Sequence, residues 1–380
     1  MTRVTPRAAV MILLGAAACN SPAPEAPADT AWGKATVAEE LRIGVEFGAE
    51  EYMFGSIRSI AVAADGTMYV SDYQANIVRM YDADGAFVRE IGRQGQGPGE
   101  YAYAPFLRAH PDGTLIMRDS RSSRLSFFSA AGEYVRSFPA TIGSSPTVVG
   151  PQGNLYLPRV GPSPEVVEYS SAGEELGRVQ IPPRDQAGTP FLLGWENVFS
   201  FPVETASAWS PLGYAVTGRN DAYDIELRKP DGTVHLRRDL EPVALTADEL
   251  AEWRTFRQGL VARLSAANQE ADIDPIPGVK PYFRAIHVGD EGRIWVWRYV
   301  AAEKRDDIEP LPEQPERPLL TWREPWTYDV FEPDTTFLGS VVVPELLRPF
   351  VFRGDQIWGA ITDQDGVEQV VRLRVVPEAT

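Results

Sequence analysis

One cysteine, Cys19, stands in 380 residues, so no disulfide can form within the chain. Histidine is nearly as scarce: His110, His235 and His287 are the only three. They occupy different positions of a repeated strand pattern, which argues against a three-histidine metal centre. The HExxH, GxSxG and CxxC patterns of zinc peptidases, serine hydrolases and redox dithiols are missing, and nothing singles out a serine nucleophile. Basic charge is short as well: 36 Lys and Arg face 53 Asp and Glu, for a formal net charge of −17. Nucleic acid is thereby excluded as a partner of the body as a whole, because phosphate binding needs a basic face. Beyond residue 18, no apolar run reaches the roughly 20 residues that span a bilayer.

The first eighteen residues differ in kind. Arg3 and Arg7 precede an apolar stretch, Ala8 to Ala18, that ends in small residues directly before the sole cysteine. A basic start, a short apolar run and small residues form a signal segment. Small residues ending on a cysteine resemble the bacterial lipoprotein signal, with Ala16 where that signal usually has Leu. The resemblance implies cleavage before Cys19, lipid on its thiol and display at the cell envelope. Asn20 is not the aspartate that marks inner-membrane retention in familiar sorting systems, which favours the outer membrane. Residues 19–36 then read as a Pro/Ala-rich tether, and 37–380 as one folded domain.

That domain repeats itself. From Ile57 apolar and polar residues alternate over 57–63, 67–72, 77–82 and 86–91, with Asp65-Gly66 and Asp84-Gly85 between the pairs. Asp-Gly between alternating runs is a hairpin signal, because glycine adopts positive φ at no steric cost. The pattern predicts a four-stranded antiparallel meander. Hairpin signals recur at Asp112-Gly113, Gln152-Gly153, Leu212-Gly213 and Glu291-Gly292, and a last copy has only three strands. The segment 41–48, ahead of the first copy, is an unpaired strand that could complete it. The expectation is an all-β six-bladed β-propeller closed by an N-terminal strand, a device that removes exposed sheet edges.

The glycine-rich stretch Ile91–Tyr101, IGRQGQGPGEY, lacks the Lys-Ser or Lys-Thr and the following helix of a phosphate loop. It reads as a link between blades. Together with "DGTMYVSD" and "DGTLIMRD", it resembles the NHL-type repeat. The chain as a whole is similar to bacterial six-bladed β-propeller lipoproteins of that superfamily, closely over 54–181. The resemblance implies the fold; the superfamily holds binders, scaffolds and a few metal-dependent lyases and lactonases.

Six residues beyond each first-hairpin glycine, or beyond Asp355 that replaces it in the last copy, lie Asp72, Asp119, Arg159, Arg219, Arg298 and Ile361. These second-strand ends should ring one pole of the disc. The acids are candidates for bonding loop backbone. The arginines are candidates for a basic sector that holds a carboxylate or sulfate by bidentate bonds. Two insertions should rise from the same pole, at about 241–281 and 301–320. Thr246 to Glu249 forms a capping box, and Leu250, Trp253, Phe256, Leu260 and Leu264 form a helical stripe. Trp295 and Trp297 share one strand face, as packing between blades or as a sugar platform.

The functional expectation is a lipid-anchored propeller that binds a small anion, a glycan or a protein on the insertion-bearing face, without catalysis. Two alternatives are a metal-assisted lyase or lactonase, needing at least three ligands near Asp72, Asp119 and His287, and a structural scaffold in a membrane complex. No cofactor is required by the sequence. The many carboxylates leave a channel-bound calcium ion open.

Overall fold

The computed structural model describes residues 32–140, 147–159, 163–182, 201–266, 276–309 and 319–378, with backbone alone at 260–266. The expected signal segment, Cys19 and most of the tether lie outside the described residues, as do parts of both insertions.

Blade one contains strands Ile57–Val62, Met68–Asp72, Ile77–Tyr81 and Phe87–Glu90, hydrogen-bonded in that order. Blade two contains Phe106–Ala109, Leu115–Asp119, Arg124–Phe128 and Tyr134–Pro139. Blades three and four start at the inner strands Val148–Val149 and Thr205–Ser210. Blade five runs Phe283–Val288, Ile294–Arg298, Trp326–Phe331 and Phe337–Val343; blade six supplies Arg348–Arg353, Gln356–Thr362 and Glu368–Pro377. At the first hairpin Gly66 takes φ +89°, and its N–H donates to Ala63 O at 3.1 Å. A side chain there would be strained.

The missing outer strand of blade six is β1, Gly33–Ile43, antiparallel to Glu368–Pro377 from Ala35↔Pro377 to Ile43↔Val370. Its first residues also pair in parallel with the outer strand of blade five, Gly33↔Gly339 to Ala35↔Val341. Blades five and six therefore share one continuous eight-stranded sheet. The strand begins earlier than the sequence suggested. It takes residues 33–36 from the expected tether, and 44–48 carry no strand. The shift follows from alternation that starts already at "GKATVAEEL", where Ala35 is buried and charged residues face out.

The core is not one mass but six layers, one between each pair of neighbouring blades. Leu107, Leu115 and Met117 of blade two pack on Ala61, Tyr69 and Val78 of blade one. Equivalent clusters join two to three, three to four, four to five and five to six. The sixth closes the circle: Ile43 of β1 and Val351, Trp358 and Val370 of blade six pack on Ile57, Ile60 and Tyr81 of blade one. Each fully buried aliphatic side chain contributes about 1.5–3 kcal/mol, so closure is favoured by burial at every seam. Trp295 is fully buried in the five–six layer, 4.7 Å from Phe352 and 5.9 Å from Trp32 between ring centroids. Trp297 packs tilted against Trp326, with ring centroids 4.5 Å apart. The tryptophan pair serves packing.

The link Ile91–Tyr101 does cradle an anion, but an internal one. Glu100 folds back so that Gly97 N–H donates to its carboxylate at 2.8 Å, with Arg93 Nε also at 2.8 Å. A Cβ on Gly95 would meet that carboxylate, so glycine is required for the close approach.

Candidate functional site: the central channel

Inner strands run from the pole where the blades connect to the pole of the first hairpins. Second strands return, so their ends share the connecting pole with both insertions. The base of the first insertion is a two-sided pairing, Ala244↔Val279 with Lys280 N–H donating to Val243 O at 2.8 Å. From it rises α1, Ala247–Ala266. Two members of the expected stripe, Trp253 and Phe256, are buried against Phe201, Tyr299 and Leu320, residues of the same pole; the side chains of Leu260 and Leu264 lie outside the described residues. Of the capping box only half forms. Thr246 Oγ1 accepts from Glu249 N–H at 3.2 Å, while the Glu249 carboxylate turns to Lys280 Nζ at 2.8 Å. Lys280 is fully buried and also meets Glu324 at 3.0 Å. Glu252 accepts from Thr321 Oγ1 at 2.6 Å and Trp322 N–H at 3.1 Å. Buried ion pairs are costly to break by halves, so α1 is bolted to the pole as a wall.

The second-strand ends are committed to local partners. Asp72, 1% exposed, accepts backbone N–H bonds from Gly55 (2.9 Å), Ser56 (3.2 Å), Gln74 (3.0 Å) and Ala75 (3.1 Å). Asp119 accepts from Ala102 N–H at 2.8 Å, Arg121 N–H at 3.0 Å and Ser122 Oγ at 2.8 Å. In blade four this stitching falls to Asn220, one residue past Arg219, whose Oδ1 accepts from Glu204 N–H at 2.8 Å. Arg159 pairs with Glu165 at 3.0 Å, Arg219 with Asp221 at 2.8 Å and Arg298 with Asp329 at 3.3 Å. Asp329 is wholly buried and also receives Tyr223 OH at 2.9 Å and Ser340 Oγ at 2.6 Å. Each charged residue of the ring thus has its own neighbour, and none of the three arginines lines the channel.

That space lies further in. The inner strands of all six blades enclose a channel of about 1490 Å³. Its described lining carries four arginines, Arg58, Arg108, Arg118 and Arg353, and one carboxylate, Asp290. In a chain with a large acidic excess this is a reversal of sign. Arg353 is spent on Asp290, at 2.7 Å, and on Val62 O and Ala63 O across the closing seam. The other three form a wall on blades one and two. Arg58 lies over the rings of Phe106 at 4.3 Å, Tyr73 at 5.3 Å and Tyr103 at 5.6 Å. Among the described residues it makes no hydrogen bond and no ion pair, and its Nε is buried without an acceptor. Arg108 gives Nε to Thr147 O at 2.9 Å and Nη1 to Leu107 O at 3.1 Å, with no carboxylate in ion-pair range among the described residues. Arg118 sits behind them, 2% exposed and 4.6 Å from the Phe106 centroid. Burial, reinforced by the charges of Arg108 and Arg58, pushes its pKa down to about 10. Burial also lowers that of Arg108. Arg108 and Arg118 thus sit in a setting that disfavours positive charge.

Away from that wall the channel is mostly apolar, apart from the Arg353–Asp290 pair on blades five and six. Val148, Val149, Ile181, Val288 and Phe350 are half-buried at its wall. His287 lies among them, its ring 5.4 Å from Phe352 and 5.9 Å from Tyr328. Burial lowers its pKa to about 4, so the imidazole is neutral. Trp209 adds an indole N–H that meets no acceptor. His110 is occupied with Gly153 O at 3.0 Å, and His235 is a surface residue 2.7 Å from Asp224. Among the described residues no three His, Cys, Asp or Glu side chains converge as a metal site would need. No described helix is long and apolar enough to cross a membrane.

Sequence reasoning about strand ends missed Arg58, Arg108 and Arg118. The available signal was an arginine inside a strand, in "SIRSIAV", "FLRAH" and "LIMRD", where a half-buried strand otherwise carries apolar residues.

No curated protein matches the chain by sequence. A family described as a 6-bladed beta-propeller matches residues 48–136. Among solved structures, a member of the DUF4221 family from Bacteroides vulgatus superposes with a TM-score of 0.51 at 10% identity, covering 92% of this chain and 100% of that one. A virginiamycin B lyase from Staphylococcus aureus superposes with a TM-score of 0.42 at 10% identity, covering 88% of this chain and 99% of that one. At such identity the likeness to the DUF4221 member concerns the fold alone, and with the six inter-blade layers and the family match it has one reading: this chain is a six-bladed β-propeller.

Proposed function

We propose that the protein is a non-catalytic binding propeller, held at the cell envelope by lipid on Cys19, that takes a small anion into its central channel against Arg58 and Arg108. The observation that carries this reading is the sign of the wall. The Arg58 guanidinium lies over aromatic rings and, among the described residues, has no acid in ion-pair range, beside two further guanidinium groups. A half-buried cation without a counter-charge is costly, and an incoming carboxylate or sulfate offsets that cost while forming charge-assisted bonds.

A thermal-shift screen of the purified protein against sulfate, phosphate, citrate, acetate and hexanoate tests the channel. A ligand at a hundred times its Kd stabilises by about 2.7 kcal/mol. At least one anion should raise the melting temperature, Arg58→Ala should remove the shift, and Arg219→Ala should leave it intact. No shift with any anion, or loss of the shift in Arg219→Ala alone, overturns the reading. For the anchor, Cys19→Ser should move the protein from the membrane to the soluble fraction; retention in the membrane counts against lipidation.

A further inference from the structure

Resting on that channel reading, we propose that the ligand is an amphipathic organic acid: one carboxylate at the Arg58 and Arg108 wall, and a hydrocarbon body along the apolar arc of blades three to six. The two halves of the channel differ in chemistry. Blades one and two present guanidinium groups backed by Phe106, Tyr73 and Tyr103. The remaining arc presents Val148, Val149, Ile181, Val288 and Phe350, and its one charged pair, Arg353 with Asp290, is mutually neutralised. A hydrophilic anion such as sulfate or citrate would satisfy the first half and leave the second wet. A neutral hydrocarbon would fill the second and leave the cations uncompensated. A monocarboxylate with an alkyl or aromatic body complements both, and the channel volume of about 1490 Å³ admits one readily. His287 fits the same division. As a neutral imidazole packed on Tyr328 and Phe352, it does not extend the positive wall across the channel.

The test is a calorimetric titration of the purified protein with acetate, butyrate, hexanoate and octanoate, with sulfate, citrate and octanol as controls. Burial of each added methylene should tighten binding by up to about fourfold. Arg58→Ala should weaken every carboxylate at least about tenfold; Arg58→Gln, which keeps most of the packing, should do the same. Val149→Thr with Val288→Thr keeps the shape of the wall and should flatten the chain-length series while sparing acetate. If sulfate or citrate binds as tightly as octanoate and still needs Arg58, the anion site stands and the amphipathic assignment falls. If octanol matches octanoate, or the acids bind without regard to Arg58, the channel reading falls with it.

Discussion

Asp72→Ala separates a stitched pole from a ligand-binding one. In the wild-type fold a single carboxylate, 1% exposed, satisfies four backbone N–H groups at 2.9–3.2 Å. Two come from the connector entering blade one and two from the loop after its second strand. Alanine leaves all four donors without that partner. A buried unsatisfied donor costs about 1–3 kcal/mol, and water admitted at the pole recovers part of the loss. A net destabilisation of about 3–5 kcal/mol results, near the upper end for one substitution. Unfolding entropy near 2.1 cal/mol/K per residue, over 380 residues, converts this to a fall in Tm of about 4–6 °C. Asp72→Asn retains one acceptor oxygen and should fall by about half as much. Calorimetric melts at pH 7, paired with hexanoate titration below the transition, are the assay. The account expects the lowered Tm with hexanoate affinity within about twofold of wild type. A variant that melts with wild type but no longer binds would show Asp72 to be a ligand group and refute the reasoning.

Two further outcomes follow from the same structure. His287 has its pKa lowered from near 6.5 to about 4 by burial, so the unfolded chain takes up a proton that the folded one refuses. Stability should therefore fall as pH drops from about 6.5 to 4, by on the order of 3 kcal/mol from this group. His287→Gln should show a shallower acid loss in thermal melts, and parallel wild-type and variant profiles would contradict the assignment. Removing residues through Ile43 strips β1 and exposes the Glu368–Pro377 edge, so the shortened chain should melt earlier and self-associate in light scattering. A stable monomer would contradict the closure.

Much of the architecture could be read from residue order because each blade is a local meander. Alternation sets the strands, and the hairpin glycines set the joints, so predicted and observed strand bounds in blade one differ by a residue or less at each end. The closing strand was harder, since its partner is more than 300 residues away and its pairing leaves no local trace. Counting six residues from each hairpin glycine found Asp72 and Asp119 but stopped one short in blade four. In blade two the ladder ends at Phe106↔Arg118, where Pro105 has no N–H to continue it, and Asp119 takes over. In blade four pairing runs on to Asn220 N–H and Glu204 O at 3.0 Å, and Asn220 carries the side-chain stitch. The arginine wall escaped for a different reason. It is made by side chains on separate strands of two blades, and only the curvature of the ring brings them onto one channel face.

The most direct measurement is a crystal of the protein grown with 8-bromooctanoate, with data collected at the bromine absorption edge. The account predicts an anomalous peak inside the channel beside Val149 and Phe350, with carboxylate density on Arg58 and Arg108. A peak at the outer pole near Arg159, Arg219 or Arg298, or bromine anywhere outside the channel alone, would contradict it.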